Sequence, residues 1–290
     1  MNKLIKLAAA SAILISMAAC NNGENFDNET RTEQYFYNSY AVITDIQSGE
    51  QTVSTPVTTK LEINWTHATG VVTFSGLKFG GVTSSNLTLS SMDLKSDGDW
   101  SFSTTSAPVA QLASGTKTSV SNFTFKWNDR LDIPELEEYD PEYYFSFDYD
   151  NKYTVKGSRA PFNFWGTTTS QTEGQPAFVS EVNKIVAAPN FADMTMTVLI
   201  NGAKFADRMP GLNIQLDNIP MQIVDGGASF TFSTDQLIPT IGGDPYPMYP
   251  CSNISGTLSP ETGLTFRFDC DVPRMGLYTV TTSPTPFGYK

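Results

Sequence analysis

The sequence predicts an all-β protein: two tandem antiparallel β-barrel or β-sandwich domains related by internal duplication. Three observations lead there. Residues 76–104 (GLKFGGVTSSNLTLSSMDLKSDGDWSFST) and 202–234 (GAKFADRMPGLNIQLDNIPMQIVDGGASFTFST) carry the same landmarks in the same order: Gly-x-Lys-Phe, an alternating apolar run, Asp-Gly, then Phe-Ser-Thr. The period of roughly 125–130 residues exceeds solenoid and propeller repeats, so each copy is domain-sized. Short apolar/polar alternations separated by turn residues recur along the chain, and long helical patterns do not.

Taken in order, residues 1–6 carry Lys3 and Lys6, and residues 7–17 are apolar or small. That run is too short to span a bilayer and has the layout of a secretory signal. It ends in Met17-Ala18-Ala19-Cys20, which resembles the lipobox of bacterial lipoproteins, with Met17 in place of the usual Leu. The resemblance implies cleavage at Cys20, acylation of its thiol, and membrane attachment through the lipid. Each buried CH₂ of such a chain contributes about 0.8 kcal/mol. Polar residues 20–34 read as a flexible tether. Their acids Glu24, Asp27 and Glu29 resemble, loosely, the acidic export signals of Bacteroidetes surface lipoproteins, so the periplasmic face and the cell surface are both open.

Loss of residues 1–19 leaves 16 basic against 30 acidic residues, a net charge of −14. Nucleic acid and anionic membrane surfaces would repel such a chain, which argues against nucleic-acid binding.

The first domain, 35–157, opens on an aromatic and β-branched strand at 35–46. Val57, Leu61, Ile63 and Trp65 then share one face. Leu87 and Leu89, then Met92 and Leu94, continue in period two with one slip between the pairs. Phe123, Phe125 and Trp127 alternate likewise. Residues 128–151 are densely acidic with four tyrosines. Oxygen ligands at that density could hold Ca²⁺, but the spacing matches no EF-hand loop and lacks the turn glycine, so an acidic insert between the copies is expected. The second domain, 158–290, repeats the pattern with Leu212, Ile214 and Leu216, a slip, then Ile219, Met221 and Ile223. Cys251 and Cys270 lie nearly equidistant from the turn at 259–263, and in an oxidising compartment they are expected to form a disulfide.

Catalytic devices are sparse. His67 is the only histidine and sits in a turn sequence (WTHATG), and no G-x-S-x-G elbow provides a nucleophile. Zinc-protease and Walker motifs are absent, so the chain is not expected to be an enzyme or to take a cofactor or metal. Of the four tryptophans, Trp65, Trp100 and Trp127 fall on alternating apolar patterns and read as core, leaving Trp165 as the candidate for a sugar-stacking surface. Gly98-Asp99-Trp100 satisfies the lipocalin G-x-W but lies inside the first copy, and its counterpart Gly226-Gly227-Ala228 lacks the Trp.

Three features together resemble the calycin-like β-barrel lipoproteins of Bacteroidetes: Cys20, Phe74–Phe79 (F-x-G-x-K-F) with N-L-x-L at 86–89, and L-N-I-x-L-x-N-I-P at 212–220. The resemblance implies antiparallel barrels and binding of a lipid or small apolar ligand, with no ligand-contacting residue transferable. The expectation is a lipid-anchored envelope lipoprotein that binds a small apolar ligand, or else a structural or adhesive surface lipoprotein of glycan-binding or fimbrial type.

Overall fold

The computed structural model describes residues 32–96, 101–104, 108–128, 142–180, 183–227, 229–260 and 262–282. The first eight wall strands are β1 (Thr32–Asp45), β2 (Gln51–Asn64), β3 (Thr69–Ser75), β4 (Leu87–Asp93, continued by Lys95–Ser96), β5 (Ser101–Thr104), β6 (Val120–Asn128), β7 (Glu142–Tyr149) and β8 (Tyr153–Arg159). Each pairs antiparallel with the next. The ladder closes when β8 pairs with β1, from Ser39↔Arg159 to Asp45↔Tyr153. This is a nearly closed eight-stranded up-and-down barrel.

After Ala160 and Pro161 the plan repeats. Strand β9 (Phe162–Gly166, continued by Thr168–Gln171) starts a second barrel. It proceeds through β10 (Asn183–Asn190), β11 (Thr195–Ala203), β12 (Leu212–Val224), β13 (Ser229–Leu237), β14 (Cys251–Ser259), β15 (Gly263–Val272) and β16 (Gly276–Thr282). The first part of β9 pairs with β10 and the second with β16, so this ladder also returns to its starting strand. Of the two sheet architectures that the alternation allowed, the pairing selects barrels.

The duplication extends to backbone irregularities. The slip between Leu89 and Met92 is a bulge at Ser91 (φ 59°), and its counterpart is Asn218 (φ 56°), between Leu216 and Ile219. Strands β6 and β14 each carry a second bulge, at Asn122 and Asn253, both with φ 51°. A bulge inserts one unpaired residue and increases the local bend, which helps a sheet to close.

Two expected boundaries shift. Strand β1 begins at Thr32, inside the stretch expected to be tether. Of the acidic insert, 129–141 lie outside the described residues, but Glu142–Tyr149 is the wall strand β7, with Tyr143, Phe145 and Phe147 fully buried. Tyr143, Phe145 and Phe147 alternate with Tyr144, Ser146 and Asp148, so the first set packs into the barrel.

Candidate functional site

A barrel of about eight strands can hold one small ligand or be filled by its own side chains. In the first barrel the described interior positions form one buried cluster, including Phe74, Leu89, Phe125, Phe145 and Phe147. The Phe74 and Phe145 rings lie 4.5 Å apart at their centroids. Inside the wall the Ser39 hydroxyl meets the hydroxyls of Thr59 (2.7 Å) and Tyr143. The second barrel is filled in the same way around Phe164, Ile200, Phe232, Phe266 and Phe268.

Each barrel is also corked at the end where strands 3 and 4 connect, and the duplicated Gly-x-Lys-Phe motif makes the cork. In the first barrel Leu77 is fully buried, and Phe79 stacks on Tyr149 with centroids 4.1 Å apart. In the second, small Ala203 occupies the Leu77 position and Phe205 turns inward instead, 1% exposed, against Phe268 and Tyr278. Ser170 Oγ donates to the Phe205 carbonyl at 2.7 Å and holds the loop down. Gly76 and Gly202 both have positive φ (95° and 71°), and a Cβ on Gly76 would lie 2.7 Å from the Pro56 carbonyl oxygen. The motif therefore needs its glycine for a backbone reason.

The opposite end of the second barrel is closed by the first. Strand β1 is buried on both faces over Tyr40, Ala41, Val42 and Ile43. Ala41 and Ile43 face the first barrel's interior, whereas Tyr40 and Val42 join the second barrel's core. Tyr40 packs among Phe162, Phe191 and Phe230, with centroids at 6.0, 4.8 and 5.6 Å. Among the described residues its hydroxyl has no hydrogen-bond partner, and burial raises its pKa well above the ordinary tyrosine value. The tight turn Asp225–Gly227 seats Gly227 directly on Val42.

Beside this contact lies a cleft of about 510 Å³, lined by Tyr144 and Lys156 from the first barrel and mainly by Ser and Thr from the second.

A duplicated polar staple lies on the outer walls. Asn122 Nδ2 and Thr154 Oγ1 donate to Asp148 at 2.6 and 2.7 Å, and Asn253 Nδ2 and Thr279 Oγ1 donate to Asp269 at 2.7 Å each. Burial pushes the Asp269 pKa up, but the Thr279 and Asn253 donors and the nearby Arg267 outweigh it and hold it below the usual carboxylate value. Each staple pins the bulge at its αL asparagine. The signal is a second set of repeats: F-x-F-D-x-D at 145–150 and 266–271, Tyr-Thr-Val at 153–155 and 278–280, and Ser-Asn at 121–122 and 252–253.

Cys251 and Cys270 are direct cross-strand partners, both buried and both thiols here. Their shared hydrogen bond, together with burial, pushes the Cys251 pKa far up. The same register position in the first barrel holds Val120 opposite Tyr149. Cys20 lies outside the described residues. His67 is exposed in the β2–β3 turn, its backbone N–H donating to Asn64 Oδ1 at 3.0 Å. Trp65 is partly buried against the first core, with Nε1 donating to Glu33 at 2.8 Å, and Trp165 is half-buried. The side chains of Trp100 and Trp127 lie outside the described set. Among the described residues no group of three or more His, Cys, Asp or Glu side chains is placed to hold a metal.

No family model matches the chain, and no curated protein matches it. Among solved structures it is similar to a Bacteroides fragilis protein that carries the name of an outer membrane protein. That likeness is 12% identical, covers 86% of this chain and 96% of that one, and has a TM-score of 0.33. It is also similar to transferrin binding protein B of Haemophilus parasuis in a double-mutant form, 7% identical, covering 89% of this chain and 76% of that one, with a TM-score of 0.19. Neither likeness bears on function.

Proposed function

We propose that this chain is a lipid-anchored protein of the bacterial cell envelope, a two-barrel relative of the calycin-like lipoproteins. In this reading it works as a rigid non-enzymatic structural or binding module through its outer surface. The observation that carries the anchoring is Met17-Ala18-Ala19-Cys20 behind an apolar run of signal-peptide length. Cys20 stands twelve residues before the first strand, enough chain to hold the barrels clear of a bilayer. Two features favour the outer surface over an enclosed apolar ligand. Side chains occupy the described interior positions of both barrels, and the Gly-x-Lys-Phe loops cork them. In an oxidising envelope the Cys251–Cys270 pair closes a cross-strand disulfide, worth about 3 kcal/mol on the chain-entropy model.

Intact-mass spectrometry of the protein extracted from envelopes tests both parts. The expected species starts at Cys20, carries added acyl mass, and is lighter by two hydrogens than the reduced chain. An unacylated protein starting elsewhere would overturn the anchoring. A reduced mass after extraction under thiol-blocking conditions would overturn the bridge.

A further inference from the structure

We propose that the cleft between the two barrels is a saccharide-binding site. Its volume, about 510 Å³, falls in the range of small-molecule sites (roughly 300–1,000 Å³), and such sites favour the junctions between domains. The lining mixes Ser and Thr hydroxyls with the apolar side chains of Val224, Phe230 and Leu258. Ser229, Thr231, Thr257 and Thr262 reach it from the second barrel, and Tyr144 and Lys156 from the first. Thr231 and Thr257 are direct cross-strand partners, so their side chains stand about 5 Å apart on one face. That separation is comparable with the width of a sugar ring.

These four hydroxyls make no side-chain hydrogen bond to the protein among the described residues. Elsewhere the fold spends such groups on one another, as in Thr73–Thr88 and Thr168–Ser180. Each hydroxyl both donates and accepts, as each sugar hydroxyl does, so a saccharide can replace the water on this surface bond for bond. Lys156 and Tyr144 of the first barrel form the facing side of the cleft. The chain's net charge of −12 weighs against polyphosphates and nucleic acid. Because both barrels contribute, the site exists only while they are docked. The inference goes beyond the envelope reading and does not depend on the lipid.

Isothermal titration of the purified mature protein with a panel of short neutral and uronate-containing oligosaccharides tests it. At least one is expected to bind. The double substitution Thr231→Val, Thr257→Val is expected to weaken that binding about tenfold or more without moving the urea midpoint. Thr83→Val, on an exposed hairpin of the first barrel, is expected to leave affinity unchanged. Binding of no member of the panel, or undiminished binding in the double variant, would overturn the proposal.

Discussion

Replacing Gly227 with valine is expected to destabilise the protein by about 2–5 kcal/mol, as read from urea midpoints. A Cβ at this position would lie 2.2 Å from Val42 Cβ and 2.7 Å from both Val42 γ-carbons. The glycine also has φ 104°, where a β-branched residue is strained. Overpacking of this kind costs about 1–3 kcal/mol, and the backbone conformation adds about 1–2 kcal/mol. Neighbouring Gly226 is the internal control. Its φ is 67°, but the nearest heavy atom to a Cβ there is Lys156 Nζ at 3.7 Å. Gly226→Ala should therefore cost only about 1 kcal/mol. Val42→Ala should not rescue Gly227→Val, because the clash includes the Val42 Cβ itself, whereas Val42→Gly should restore the room. A Gly227→Val protein within about 0.5 kcal/mol of wild type would mean that the turn does not sit on β1.

Phe205→Ala is expected to cost about 3–5 kcal/mol and to open the distal end of the second barrel. The ring is 1% exposed and contacts Phe268 and Tyr278, so its removal leaves a cavity lined by aromatic carbon. Such a cavity stays dry and takes up apolar molecules. The variant should therefore bind an apolar fluorescent dye that the wild type excludes. A loss below about 1 kcal/mol, or dye binding equal to wild type, would show that the loop is not the cork. Ala203 explains why this position carries so much: where the first barrel has Leu77 to fill the mouth, the second has a methyl group, and Phe205 replaces the lost volume.

Much of this architecture was legible in the chain. The Gly-x-Lys-Phe landmarks located the corks without revealing what they do. The slips at Leu89/Met92 and Leu216/Ile219 are the bulges at Ser91 and Asn218, because one unpaired residue breaks the period-two alternation once and only once. The acidic composition of 128–151 concealed strand β7. In Phe145-Ser146-Phe147-Asp148 the aromatic period is intact, but the surrounding charge has the composition of a connector. Comparison with Phe266-Arg267-Phe268-Asp269 would have recovered both the strand and the Asn–Asp–Thr staple. Docking of the barrels left a fainter trace. Tyr40-Ala41-Val42-Ile43 is continuously apolar, the mark of a strand covered on both faces. Nothing in the sequence says that the second cover is the mouth of the other barrel. The hydroxyl-lined cleft was not legible at all, since its residues come from strands far apart in sequence and each looks like an ordinary outward-facing Ser or Thr.

The claim that one barrel's wall completes the other is tested most directly by equilibrium urea unfolding with separate reporters. Trp65, Trp100 and Trp127 lie in the first barrel's sequence and Trp165 in the second's. Variants keeping only Trp165, or only the other three, therefore report the barrels one at a time. The shared core at Tyr40 and Val42 predicts coincident midpoints and a single cooperative transition in both variants and in backbone circular dichroism. Two separated transitions, with the second barrel unfolding independently of the first, would contradict it.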